Sequence, residues 1–170
     1  MDNESVQPGV VLGLGSNLGD REAAIAAALA GLEARGFRRS LLSSLYLTEP
    51  VGGPPQGYFL NAVAAGASEL SPEALLASCL AVELELGRVR SEPNGPRTID
   101  VDILFMGALR RDGPAPLLPH PRLHQRRFVL EPLAEILPDL VHPGFGTRVA
   151  ELLERCADSS SVRRFAEASA

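Results

Sequence analysis

Apolar positions fall along the chain in short runs separated by turn residues, and their spacing predicts the elements in order. Val10-Val11-Leu12-Gly13-Leu14-Gly15 is a continuous apolar stretch of the length of a buried strand. Asp20 can cap the alanine-rich stretch behind it, which predicts a helix to about Arg35 ended by Gly36. Phe37 to Tyr46 predicts a second strand, rich in leucine and aromatics although its alternation is imperfect. Thr48 to Gly57 holds three prolines and three glycines and reads as a loop, and Phe59 to Ala67 predicts a third strand. Ser71-Pro72-Glu73 joins a cap, a first-turn proline and an acid that favours the helix dipole, starting a helix that runs to Leu86 and stops at Gly87. A polar, arginine-rich loop covers 88–97, and Thr98 to Met106 alternates as a fourth strand. Proline-rich loop follows to about Leu123, then helices near Arg127–Ile136 and Thr147–Cys156.

Strand, helix, two strands, helix, strand is the split βαβ order of ferredoxin-like folds. The expected fold class is therefore α+β: a ferredoxin-like βαββαβ core with an antiparallel sheet and additional C-terminal helices, in three α/β/α layers. A length of 170 residues fits one domain spanning 1–170, with 1–9 and the serine-rich 158–170 as flexible tails. No internal repeat or interdomain linker stands out.

Composition narrows the chemistry. All 16 basic residues are arginine, so a Walker-type phosphate loop and Schiff-base catalysis, both of which need lysine, are excluded. Any phosphate must be handled by guanidinium groups, magnesium or backbone amides. A net charge of −5 disfavours broad nucleic-acid binding. The two cysteines, Cys79 and Cys156, match no metal or redox spacing and read as small core hydrophobes. Met1-Asp2-Asn3-Glu4-Ser5 is not a signal peptide, and no apolar run nears the roughly 20 residues of a membrane span. A cytoplasmic location is expected.

Asp100-Val101-Asp102 carries the first candidate chemistry. Residues two apart in a strand share a face, so both carboxylates project together while Val101 and Ile103 face the core. Such a pair repels unless a cation lies between, and magnesium takes one or two carboxylates plus substrate phosphates. Taken alone, the pair is equally the outer face of a half-exposed strand. The flanks change this: Arg88, Arg90 and Arg97, with the Gly95-Pro96 turn, lead directly into the two acids, and arginine offers phosphate a bidentate, permanently charged partner. A magnesium–polyphosphate site is the reading this favours.

Other features weigh less. Gly13-Leu14-Gly15-Ser16-Asn17-Leu18-Gly19 lacks the third glycine of a dinucleotide loop, where Leu18 stands, and reads as a tight strand-to-helix turn. Pro121 between His120 and His124 argues against a helical zinc pair. His120 and Arg126 are open either to phosphate contact or to surface hydrogen bonding. Phe59, Asn61 and Phe128 read as core, although an amide beside aromatic rings can read the edge of a stacked heterocycle.

Several segments together resemble the hydroxymethyl-dihydropterin pyrophosphokinases of folate biosynthesis. They are Leu14-Gly15-Ser16-Asn17-Leu18, Tyr46-Leu47-Thr48-Glu49-Pro50, Phe59-Leu60-Asn61-Ala62 and Glu83-Leu84-Glu85-Leu86-Gly87-Arg88-Val89-Arg90. Then come Gly95-Pro96-Arg97-Thr98-Ile99-Asp100-Val101-Asp102-Ile103-Leu104, Pro119-His120-Pro121-Arg122 and Arg126-Arg127-Phe128-Val129-Leu130. The resemblance implies a magnesium-dependent transfer of pyrophosphate from ATP to the pterin hydroxymethyl group, releasing AMP. It implies that Asp100 and Asp102 hold two magnesium ions and that Arg88 and Arg97 stabilise transition-state charge. Asn61 would bind the pterin between Phe59 and Phe128, with backbone contacts from Thr48 and Val51. Glu83, Arg90, Arg97, Ile103, His120 and Arg126 would line the ATP site. ATP and 6-hydroxymethyl-7,8-dihydropterin are then the partners, with no nucleic acid or membrane, and the working unit is a monomer. The sequence departs from the family at Ser91-Glu92-Pro93-Asn94, a shortened form of the loop that closes over ATP, with Pro93 at a commonly basic place. A ligand-sensing module would explain the fold but not the clustered acids and arginines. A metal-dependent hydrolase would give Asn61 and the two phenylalanines no role.

Overall fold

The computed structural model describes residues 9–89 and 93–165. Six strands form one sheet: β1 (Val10–Ser16), β2 (Arg38–Leu42), β3 (Tyr46–Thr48), β4 (Phe59–Ala67), β5 (Asp100–Met106) and β6 (Val162–Arg164). Among the described residues four α-helices accompany them: α1 (Arg21–Glu33), α2 (Pro72–Glu85), α3 (Arg127–Ile136) and α4 (Val149–Glu154). The sheet order is β5-β1-β4-β3-β6, β2 also pairs with β4, and every pairing is antiparallel. The fold is thus α+β.

The helix starts follow their caps. Asp20 accepts a hydrogen bond from Ala23 N at 3.1 Å and Ser71 one from Ala74 N at 3.2 Å, each satisfying an amide with no partner inside its helix. Alternate strand residues feed two apolar clusters. Val10, Leu12, Leu14, Val101 and Ile103 pack with Ile25, Leu29 and Leu32 of α1 and with Leu75, Cys79 and Val82 of α2. Val11, Val63, Ala65, Leu104 and Phe105 pack with Val129, Leu130 and Leu133 of α3 and with Val149 and Leu152 of α4. Leu104 and Phe105 can share one cluster because the β1–β5 register shifts there, a bulge that flips the alternation. Before the bulge, Asp100 and Asp102 share the face that Leu104 continues.

Three expectations are corrected. The single strand over Phe37–Tyr46 is broken into β2 and β3, both paired to β4. Ser43 stands in the gap, its N–H donating to Val63 O and its Oγ accepting from Val63 N, both at 2.9 Å, so a side chain replaces a rung of the ladder. The tail expected to be flexible from 158 instead supplies β6, which extends the sheet beyond β3. The last helix is also shorter than expected, ending at Glu154.

Candidate active site

The central strand β1 reaches the site as bare backbone. Gly15 pairs across β1 with Asn61 of β4 on one side and with Asp100 of β5 on the other, and Gly13 pairs with Asp102. A Cβ on Gly15 would come within 2.4 Å of Asn61 Oδ1, so only glycine lets the amide stand there. Asn61 in turn donates through Nδ2 to Thr48 Oγ1 at 2.7 Å, which leaves its carbonyl and one N–H for a ligand. Gly15→Ala should therefore leave the melting temperature close to wild type while turning the Asn61 amide out of position. Ligand titration should show affinity for the pterin that the resemblance implies reduced at least tenfold, a loss of about 1.4 kcal/mol. Unchanged affinity would mean that Asn61 does not read the ligand.

A cavity of about 400 Å³ opens over this point, lined among others by Thr48, Glu49, Val51, Phe59, Asn61, Asn94, Arg97, Asp100, Arg126 and Phe128. A small recess of about 20 Å³ adjoins it, with Asp100 and Asp102 both in its wall beside Gly13 and Gly15. The wall of the larger cavity carries aromatic rings and cations side by side. Arg97 lies 5.2 Å over the Phe59 ring and Arg126 lies 5.6 Å over Phe128, so each ring carries a guanidinium at its face.

The carboxylates differ in their partners. Asp100 accepts from Arg88 Nη1 at 2.8 Å and from Arg97 Nη1 at 3.1 Å. Arg88 is also paired to the buried Glu83, whose carboxylate takes the Val101 N–H at 3.3 Å. Burial raises the Glu83 pKa, with Arg88 opposing the shift. For Asp102 no side-chain hydrogen bond or ion pair is found among the described residues, and burial and the neighbouring Asp100 charge push its pKa up. Burial, with Arg126 adding to it, brings His120 down to about 4, so its imidazole is neutral near pH 7. Burial also lowers the Arg126 pKa.

The family model described as 7,8-dihydro-6-hydroxymethylpterin-pyrophosphokinase (HPPK) matches residues 11–138, which include all of these side chains. The chain belongs to this family. A 2-amino-4-hydroxy-6-hydroxymethyldihydropteridine pyrophosphokinase of Methylorubrum extorquens is 46% identical over 140 residues, covering 82% of this chain and 89% of the relative. The protein of that name from Pseudomonas aeruginosa is 43% identical over 148 residues, covering 86% and 91%. Among solved structures, wild-type Plasmodium falciparum HPPK-DHPS superposes with a TM-score of 0.65 at 14% identity, over 90% of this chain and 45% of that one. This HPPK-family chain thus spans less than half of that longer protein, and the likeness bears on the fold alone.

Of the residues expected in an HPPK site, the cavity collects Thr48, Val51, Phe59, Asn61, Arg97, Asp100, Arg126 and Phe128, and the recess adds Asp102. The reading of Phe59 and Phe128 as core side chains is corrected, since both are half-buried in the cavity wall. Arg88 and Glu83 stand behind Asp100 as its support. His120 lies off the cavity lining, its N–H bonded to Leu104 O at 2.9 Å and its Nδ1 accepting from Arg122 N at 3.2 Å. Ile103 is buried in the cluster against α1 and α2, so its side chain faces away from the acids. Arg90, with Ser91 and Glu92 of the altered loop, lies outside the described residues.

Residue-by-residue reading missed four positions. Gly13 and Gly15 read as a turn, yet they form the site floor; glycine alternating with buried Leu12 and Leu14 was the available signal. Asn17 ties the site's loops together: its Nδ2 donates to Gln56 Oε1 and Gly57 O, and its Oδ1 accepts from Arg97 N, all at 2.9 Å. Glu49 was quoted only as part of a motif, and it lines the cavity.

Proposed function

We propose that this chain transfers the pyrophosphoryl group of ATP to the hydroxymethyl oxygen of 6-hydroxymethyl-7,8-dihydropterin in folate biosynthesis, releasing AMP. We further assign it a single ferredoxin-like domain in three α/β/α layers, acting as a cytoplasmic monomer. Among the described residues, no helix is long and apolar enough to cross a membrane. The observation that carries the reading is the junction at Gly15, where an amide that can read a heterocycle edge pairs across one strand pair and a carboxylate across the other. An alcohol held at Asn61 and a phosphate chain held at Asp100 would lie on the two strands that flank β1, the proximity that a bimolecular transfer needs.

The residues fit magnesium. Asp100 and Asp102 offer hard oxygen donors on one face, and Asp102 has no competing partner among the described residues. No cluster of three or more potential metal-ligating side chains occurs among those residues, so further ligands come from ATP phosphates and water, as magnesium prefers. Two ions are expected; when bound, they neutralise the phosphate oxygens and draw charge from the phosphorus under attack.

The protein's own part is positioning and charge. Phe59 and Phe128 stack the pterin, Asn61 reads its edge, and Thr48 fixes that amide. Thr48 and Val51 add backbone contacts to the pterin. The alcohol oxygen attacks the β-phosphorus in line, the bond to the AMP oxygen breaks, and Asp100 takes the alcohol proton. Arg97 and Arg88 stabilise charge spreading over the transferred group. Glu83, Arg90, Ile103 through its backbone, His120 and Arg126 complete the ATP side.

Label in the β-phosphate of ATP tests the reaction directly. It should appear in the pterin product while AMP is unlabelled; label released as free phosphate with unmodified pterin would mark a hydrolase. Asn61→Ala should weaken pterin roughly tenfold or more in calorimetry while the affinity for a non-hydrolysable ATP analogue holds. Equal weakening of both ligands would refute the pterin assignment.

A further inference from the structure

The N-terminus of α3 carries a conflict between its position and its side chain. Residues at a helix N-cap normally accept a hydrogen bond from the first turn, and arginine cannot. Arg126 is the N-cap of α3, makes no capping bond, and lies in the cavity wall instead. The missing acceptor comes from 31 residues further along the chain. Asp158 Oδ2 accepts from Arg127 N at 3.0 Å, and Asp158 O accepts from Arg127 Nε at 2.8 Å. A negative charge at that end also suits the helix dipole.

The same segment then crosses to the other wall of the cavity. Asp158 Oδ1 holds Ser160 N at 2.9 Å, which turns the chain toward β3. Ser161 N donates to Glu49 Oε1 at 2.7 Å, and Glu49 N donates to Ser161 O at 3.1 Å. Beyond them β6 pairs with β3, Val162 opposite Thr48, and Phe165 N reaches Leu45 O at 2.9 Å. Arg126 and Phe128 line the cavity from the start of α3, and Thr48, Glu49 and Val51 line it from the end of β3 and the loop after it.

We propose that residues 158–162 act as a strap that sets the width of the pterin slot, with Asp158 and Glu49 as its positioning residues. The proposal rests on the assignment of this slot to the pterin. Neither side chain need touch the reacting atoms: Asp158 fixes the Phe128 wall and Glu49 the Thr48 wall. Severing the strap widens the slot, whereas the acids and Arg97 keep their supports in β5, α2 and Asn17.

The test uses the full chain with Asp158→Ala, Asp158→Asn and Glu49→Ala. For Asp158→Ala, the KM and Kd for pterin should rise roughly tenfold, with kcat at saturating pterin and the Kd of a non-hydrolysable ATP analogue unchanged. Asp158→Asn, which keeps one of the two acceptor oxygens, should recover only part of the loss, and Glu49→Ala, which also removes a cavity-lining side chain, should raise the pterin Kd while the Kd of the ATP analogue holds. Pterin affinity that stays at wild-type level, or that falls in step with ATP affinity and melting temperature, would overturn the strap. Hydrogen exchange without ligand provides the independent arm: the amides of Arg127, Phe128 and Glu49 should exchange faster in Asp158→Ala. If wild-type protein binds no pterin, the functional reading falls, and unchanged exchange at those amides would separately remove the strap.

Discussion

Replacing Asp102 by alanine is expected to abolish turnover and leave the fold intact. The side chain faces the recess below the main cavity, and no hydrogen bond or ion pair from the described residues supports it. A partly desolvated carboxylate beside the Asp100 charge is costly to the folded protein, and the Arg126 and Arg88 charges offset that cost only in part. On the proposed reading Asp102 would hold a magnesium ion, which would supply several kcal/mol of charge stabilisation in the transition state. Turnover in the variant should thus fall by on the order of 10³ or more, each factor of ten being about 1.4 kcal/mol. The metal-free variant should also be no less stable than wild type. Burial raises the Asp102 pKa above the ordinary carboxylate range, so the folded state holds that proton more tightly than the unfolded chain. Its contribution is present at acid pH and is lost as the pH rises toward neutrality, a loss that alanine removes. Thermal melts against pH, with steady-state assays, check both halves. Near-normal activity would refute the two-metal site.

Arg97→Ala should cost 10²–10³ in rate, about 3–4 kcal/mol, the scale of losing one preorganised donor to developing charge. Preorganisation is visible at three points. The backbone is locked to Asn17 in both directions, with Arg97 N to Asn17 Oδ1 at 2.9 Å and Asn17 N to Arg97 O at 3.1 Å. Nε donates to Gly95 O at 3.1 Å, and Nη1 reaches Asp100. The guanidinium lies over the Phe59 ring, which ties the cation to the slot proposed for the acceptor. Because Arg88 still pairs with Asp100 when Arg97 is gone, the carboxylate stays neutralised and the fold should survive. The loss should fall on kcat and on kcat/KM alike, as for a contact made in the transition state. A rise in the ATP KM with kcat preserved would reassign Arg97 to ground-state binding.

Much of the fold was legible because local signals were strong and agreed with the global pattern. Asp20, Ser71-Pro72 and Gly87 mark α1 and α2, and Phe59–Ala67 is β4 to the residue. What escaped reading depended on partners far along the chain. β6 exists because β3 presents an open edge and Glu49 meets Ser161 across 112 positions, contacts that no local composition encodes. The break at Ser43 depends on the amide of Val63 likewise. In the site, Asp100 and Asp102 were readable because strand alternation alone puts them on one face. Phe59 and Phe128 were not, since a phenylalanine in a cavity wall and one in a core have the same sequence signature; the difference is made by Gly13 and Gly15, which leave the floor open beside them. Ile103 shows the reverse case, where the same alternation that exposes Asp102 turns its neighbour into the α1–α2 core.

Chromatographic measurement of AMP from purified protein given ATP, magnesium and 6-hydroxymethyl-7,8-dihydropterin tests the pyrophosphoryl transfer most directly. The account predicts AMP in equal amount to pterin pyrophosphate, and none when either the pterin or magnesium is omitted. AMP or ADP formed equally well without pterin, or no AMP although pterin and an ATP analogue both bind, would contradict it.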